Sequence, residues 1–332
     1  MKNILSLACA LALAAQLRAQ VVDAGSQTDN SQQRRQLEAS ARTALQPGDT
    51  AVESYAGETS DLGPQTVIRY PKRHDWVVAS ADLLYYHTDN MFLLDSFRQE
   101  ANVLLTSVEL DVTPPGWNYR GGEFSPRFGY RHQWYNFGAF GGDIMGSTTK
   151  LDTFDFHAGT AFGELNWQRG GWQVGGGFDY VRLVGTSSGD EFYSEYIARL
   201  DAGYTWRLCP KSTFTLRYDG DYRWSNPSGT YLLSGRSNFD RTDHALGATL
   251  NFTVCPHAIV QPYYRGKFTS FSRDPSREDL THTLGLGVYL PVCQNFGVRL
   301  YTAWEMREAT GGKANDYTKT DLGGGVNVSF RF

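Results

Sequence analysis

From residue 76 to the last residue, apolar and polar side chains alternate in one segment after another. In "TFTLRYDGDYRW", residues 213–224, Phe214, Leu216, Tyr218, Tyr222 and Trp224 fall on one phase. Thr213, Thr215, Arg217, Asp219, Asp221 and Arg223 fall on the other. Period two is the mark of a β-strand with one apolar and one polar face. Similar segments cover approximately 76–88, 102–113, 123–135, 151–167, 171–184 and 191–207, then 212–225, 240–254, 258–271, 279–290, 295–308 and 316–332. No helical periodicity competes with this pattern. Replacing the second segment by 136–147 also leaves an even number of strands.

The connections decide which face looks inward. Short ones, "QRGG", "LCPKS", "VCPHA" and "PVCQN", alternate with long ones, "VGTSSGDE", "SNPSGTYLLSGRSNF", "SFSRDPSRED" and "EATGGKAND". A soluble sandwich has no reason to keep that parity. A transmembrane antiparallel up-and-down β-barrel of about 12 strands does, with short periplasmic turns and longer extracellular loops. Phe214, Leu216, Tyr218 and Trp224 then face lipid, and Trp206, Trp224 and Phe332 suit the interfacial girdles. "TPPGWNYRGG" is long for a periplasmic turn.

Composition agrees. Aromatic residues make up 14% of the 332 residues and glycines number 35, yet hydrophobic residues stop at 41%. After the N-terminus no run approaches the roughly 18 apolar residues of a spanning helix. Residues 1–19 read as a signal peptide: Lys2, an apolar stretch from Ile4 to Leu17, and cleavage after Ala19. Residues 20–75 are polar and read as a periplasmic tail, partly disordered or folded as a small plug. Residues 76–332 form the barrel. The leader removes only Lys2 and Arg18 from 31 basic residues against 35 acidic ones. The acidic balance that remains gives no support for nucleic-acid binding.

The chain ends "GGGVNVSFRF", with Val326, Val328, Phe330 and Phe332 on one phase. This end resembles the C-terminal signal of Gram-negative outer-membrane β-barrels. "ADLLYYHTDNMFLLD", residues 81–95, and "SPRFGYRHQWYNF", residues 125–137, are similar to strands of barrel porins. The resemblance implies residence in the outer membrane and contact with its lipid. It also implies a barrel insertion machinery that reads Val328, Phe330 and Phe332. It supplies no substrate.

The inward phase collects charge of both signs. Asp179, Glu195, Arg199, Asp201, Arg217, Asp219, Asp221, Arg223, Arg265, Lys267, Arg299, Tyr301, Glu305, Arg307, Lys319 and Asp321 all fall on it. A turn at residues 208–210 would set Asp201 opposite Arg217, Arg199 opposite Asp219 and Glu195 opposite Arg223. All three pairs have opposite sign, which favours that register. Such a belt either fills and rigidifies the lumen or forms a wet constriction for small hydrophilic solutes, and 12 strands lie between filled and channel-forming barrels. The constriction reading rests on Arg199, Asp201, Arg217, Asp219, Asp221, Arg265, Lys267, Arg299 and Glu305. A non-transporting barrel that is structural or displays its loops is the competing reading.

Catalysis and cofactors find little support. His244, Ser270 and His282 share the lipid-facing phase near the long-loop rim, where a serine and a histidine could attack a lipid ester. No nucleophile motif surrounds Ser270. Asp155 and His157 alternate on the fourth segment and read as inward, without metal spacing. Cys209, Cys255 and Cys293 sit in separate short turns. Consecutive periplasmic turns are about 10 Å apart, and a disulfide tolerates Cα separations only to about 7 Å, so they read as free thiols.

Overall fold

The computed structural model describes residues 75–95, 98–138, 141, 143, 150–227, 240–255, 257–272, 276–311 and 316–332. The leader and nearly all of the polar tail lie outside the described residues. The elements are β1 (Val77–Thr88), β2 (Ala101–Val112), β3 (Trp117–Tyr119), β4 (Gly122–Asn136), a 3-10 turn (Leu151–Phe154), β5 (Phe156–Arg169), β6 (Trp172–Gly185) and β7 (Glu191–Cys209). They continue with β8 (Ser212–Pro227), β9 (Arg241–Cys255), β10 (Ala258–Phe271), β11 (Glu278–Pro291), β12 (Phe296–Thr310) and β13 (Tyr317–Arg331).

All strands join one antiparallel sheet. Each long strand pairs with its sequence neighbours, β2 pairs with β4, and β13 pairs with β1. Twelve long strands therefore close on themselves, leaving no long edge. The closing seam runs from Val78 opposite Arg331 to Thr88 opposite Asp321. Reciprocal backbone bonds between Val77 and Phe332 extend it by one pair.

β3 accounts for the long "TPPGWNYRGG" connection. Pro114 and Pro115 cannot donate to a ladder, so β2 stops before them. The chain then folds back on β4 through Arg120 (φ 52°) and Gly121 (φ 75°). Positive φ at both central residues suits the twist of a tight hairpin. The indole of Trp117 stacks on Phe124, with centroids 5.4 Å apart and planes inclined by 13°.

Two expectations need correction. The segment 151–167 is not one strand: Leu151–Phe154 forms a 3-10 turn and β5 begins at Phe156. Asp155 accepts the Phe137 backbone N–H at 2.7 Å and lies outside the strand. Burial holds its carboxyl above the ordinary carboxylate range, opposed by backbone N–H groups of Phe137 and Gly138. The buried phase of β5 is Phe156, Ala158 and Thr160, so His157 faces outward, not inward.

The alternation has the expected sense. Leu216, Tyr218, Trp224, Leu246, Phe268, Leu284, Leu300 and Trp304 are exposed on the outer wall, and Trp206, Phe330 and Phe332 are exposed near its short-turn end. The outer face is apolar on strand after strand and the inner face is polar. This is a transmembrane barrel of the outer-membrane type, whose closed sheet satisfies its backbone without water.

The apolar core lies inside the barrel at the long-loop end. It gathers inward residues such as Leu84, Tyr86, Val103, Leu105, Tyr135, Phe156 and Leu183. Met91 and Phe92 from the β1–β2 connection, and Leu151 and Phe154 from the 3-10 turn, pack into the same cluster. The rings of Tyr135 and Phe156 stack at 4.5 Å, and Phe92 meets Phe154 edge-on at 5.2 Å. Favourable ring pairs contribute about 0.5–1.5 kcal/mol beyond their buried area.

Candidate functional site

The site is the polar inner wall. Long charged side chains reach diagonal as well as direct neighbours across a sheet, and here they form four linked groups. On β2, β4 and β5, the Arg127 guanidinium meets Glu109 at 2.6 Å, Asp111 at 2.9 Å and Glu164 at 3.1 Å. Arg131 donates to Glu109 at 2.5 Å. None of these five residues is among those singled out by the sequence reading. The signal was present, because "SVELDV" and "RFGYR" alternate in the same way.

The second group lies on β6, β7 and β8, and its register differs from the expected one. Arg199 stands opposite Asp221, Asp201 opposite Asp219, Glu195 opposite Ser225, and Arg217 opposite Gly203. The chain turns at Pro210 and Lys211 with an irregularity between Arg207 and Cys209, not through residues 208–210. That shifts the pairing by two residues and sets two carboxylates face to face. Arg217 resolves the conflict from a diagonal position, reaching Asp219 at 2.7 Å and Asp201 at 3.1 Å. Charge-assisted bonds to both acids outweigh a like-charge pairing cost of about 0.2–1 kcal/mol. Arg199 turns toward β6, meeting Asp179 at 2.8 Å and Glu164 at 3.5 Å.

The third group is centred on Arg223. It binds Asp221 at 2.8 Å, Glu195 at 3.1 Å and Asp243 at 3.2 Å. Arg241 reaches Asp243 at 3.2 Å, Tyr193 donates to Glu195 at 2.6 Å, and Thr269 donates to Asp243. In the fourth, Lys319 lies 3.6 Å from both Glu305 and Asp321, and Tyr317 donates to Glu305 at 2.6 Å. Arg299 crosses the closing seam to Asp82 at 2.6 Å.

Arg265 differs from these. It is half-buried, has small residues opposite it (Gly247 on β9 and Thr283 on β11), and makes no ion pair or hydrogen bond among the described residues. Lys267, the next residue on its face, lies opposite Ala245 and Thr281. One level nearer the short turns, Gly285 makes room for the Tyr263 ring, which a Cβ there would meet at 2.3 Å.

Exposure varies along the wall. Toward the short turns, the side chains of Arg127 and Arg217 are 33% and 30% exposed. Toward the long loops, those of Lys319 and Glu195 are 1% exposed. The short-turn end is not uniformly exposed, since Asn251, Ile259 and Gln261 are buried there.

Outside the lumen, the imidazoles of His244 and His282 hydrogen-bond to Tyr218 and Tyr264, not to Ser270. Cys209, Cys255 and Cys293 are free and exposed. Among the described residues, no cluster of three metal-ligating side chains occurs.

No family model and no curated protein matches the chain. Solved structures similar to it are barrels. An outer-membrane channel from Pseudomonas putida F1 is 10% identical, covers 82% of this chain and all of its own, and has a TM-score of 0.49. The β domain of the Bordetella autotransporter Brka is 15% identical, covers 77% of this chain and all of its own, and has a TM-score of 0.43. An anion-selective porin from Comamonas acidovorans is 10% identical, covers 76% of this chain and 98% of its own, and has a TM-score of 0.39.

Proposed function

We propose that the chain is a porin-like outer-membrane channel for passive diffusion of small hydrophilic solutes. The observation that supports this is Arg265, unneutralised among the described residues at mid-strand, together with the partly exposed guanidinium groups of Arg127 and Arg217 toward the short turns. Most other charges on the wall are held in ion pairs and act on a passing solute as dipoles. Arg265 presents a whole charge, so it is the principal lever on selectivity. The acids and bases of Arg199, Asp201, Arg217, Asp219, Asp221, Arg299 and Glu305 shape the path and keep it rigid.

A second reading has its own observation. The apolar cluster and the buried ion groups fill the lumen toward the long loops, as a non-transporting barrel would require. Planar-bilayer recording of the purified protein separates the two. The channel reading expects unitary conductance and, for Arg265→Glu, a reversal potential in a salt gradient displaced toward cation preference. Absence of conductance from the correctly folded protein would leave the structural barrel.

A further inference from the structure

Part of the inner wall is covered close to the short-turn mouth. Asn251, Ile259 and Gln261 lie on the inward phase within four residues of the turn between β9 and β10, and they are 1%, 0% and 4% exposed. Thr205 stands four residues before Cys209 as Asn251 stands four before Cys255, yet it is only half-buried. Arg217, opposite Gly247, is two same-face steps deeper than Asn251, and its side chain is still 30% exposed. Water entering an empty mouth would leave the residues nearest the mouth the most exposed. The cover is therefore local: it lies over β9 and β10 and spares the side of β7 and β8.

The described wall does not supply this cover. Gln261 stands opposite Gly287, and Asn251 bonds along the wall, donating to Thr213 at 3.2 Å and accepting from Gln261 at 2.6 Å. The two large rings nearby lie over other strands, Tyr263 over Gly285 and Tyr289 over Gly297, where an added Cβ would meet them at 2.3 and 2.6 Å. The segments outside the described residues narrow the source. Apart from residue 256, the internal ones all lie in long-loop connections. Gln261 is ten residues from the long-loop end of β10, about 33 Å at about 3.3 Å per residue. The longest undescribed connection, 228–239, must return to β9, so it reaches inward by about 20 Å at most. The N-terminal tail starts from the right end: the carbonyls of Asp75 and Trp76 accept bonds from Thr113, just past the short-turn end of β2. Residues 60–74 alone can span about 50 Å.

We propose that the tail, residues 20–74, enters the lumen through the short-turn mouth and docks along the inner wall of β9 and β10. Its chemistry suits that wall, which offers amides at Asn251 and Gln261, bare backbone at Gly247 and Gly287, and the cation Arg265. The run "QTDNSQQRRQ", residues 27–36, is rich in amides, and buried polar groups require such partners. The run "GDTAVESYAGETSDLG", residues 48–63, carries Asp49, Glu53, Glu58 and Asp61 with no base, and a carboxylate is the natural partner of a guanidinium. A tail in this place narrows the lumen to the opposite side, where Arg127 and Arg217 remain partly exposed. The docking stands whether or not the lumen conducts.

The test uses the full barrel purified in detergent, with Cys209, Cys255 and Cys293 changed to Ser and a charged, water-soluble maleimide as the probe. One lumen thiol is introduced at a time: Asn251→Cys or Gln261→Cys on the covered side, Thr205→Cys on the other. In the full chain the first two should react about tenfold more slowly than Thr205→Cys, since the tail must first lift away. Deleting residues 20–68 should remove that difference and leave the rate at Thr205→Cys unchanged. Should the shortened chain fail to fold, a benzophenone side chain encoded in place of Thr249 reports on the full chain instead. Irradiation should link it to a peptide from residues 20–74. Equal rates at all three positions in the full chain, slow reaction that persists in the folded shortened barrel, or cross-links to strand peptides alone would overturn the proposal. None of these readouts is a conductance, so a barrel that does not conduct counts against the channel and not against the docked tail.

Discussion

Arg199 stands opposite Asp221 but gives its guanidinium to Asp179, 2.8 Å away on the preceding strand. The partner of a lumen charge is set by the reach of its side chain, not by the residue directly across the ladder. Asp179 is almost fully buried, so its charge depends on that contact.

Arg199→Glu should therefore lower the unfolding midpoint, because it leaves Asp179 and Glu164 beside a third acid. Removing one partner of a buried pair costs about 3–5 kcal/mol, and the accessible side of Arg199 puts this case at the lower end. The exchange Arg199→Asp with Asp179→Arg should recover much of the loss. Arg199→Glu with Asp219→Arg should not, since these two residues do not meet. Heat-modifiability on gels and tryptophan fluorescence both read the midpoint. Rescue by the Asp219 change would mean that β7 and β8 pair in the other register.

Arg223 is a stricter case. Three carboxylates, Glu195, Asp221 and Asp243, converge on one guanidinium that is 5% exposed. Arg223→Met should destabilise by about 3–5 kcal/mol. Arg265→Glu should change stability little, because no partner among the described residues is lost. If the two variants unfold at the same temperature, the ranking of paired against unpaired lumen charges is wrong.

The closing seam gives a prediction about assembly. Phe332 exchanges backbone bonds with Val77 and shows its ring on the outer wall. Deleting Phe332, or placing Asp there, should reduce the assembled barrel without reducing export. We expect this because Val328, Phe330 and Phe332 are proposed as the segment read by the insertion machinery. Unchanged amounts of heat-modifiable protein would remove that role.

The three exposed thiols predict simple chemistry. Cys209, Cys255 and Cys293 should each react with a maleimide that reaches the short-turn end. Reduction should leave the gel mobility of the protein unchanged. A reduction-sensitive band that disappears in a single Cys→Ser variant would contradict three free thiols.

What the sequence by itself determined is the period-two pattern and its parity. Alternation in "TFTLRYDGDYRW" assigns every side chain of β8 to lipid or lumen, because a strand offers only two faces. Alternating short and long connections set which end is which, and the aromatic phase leading to Phe332 marks the last strand. The tertiary structure decided what depends on distance between strands. The β7–β8 register turned on one irregularity beside Cys209, which no pairing rule in the sequence specifies, since a shift of two residues keeps every face intact. The inward reading of His157 joined it to Asp155 on one strand, but Asp155 caps the 3-10 turn outside β5, where Phe156, Ala158 and Thr160 take the inward face. The filled long-loop half could not be read either, since Met91 and Phe92 lie in a connection, and only the folded chain brings them onto inward residues of distant strands.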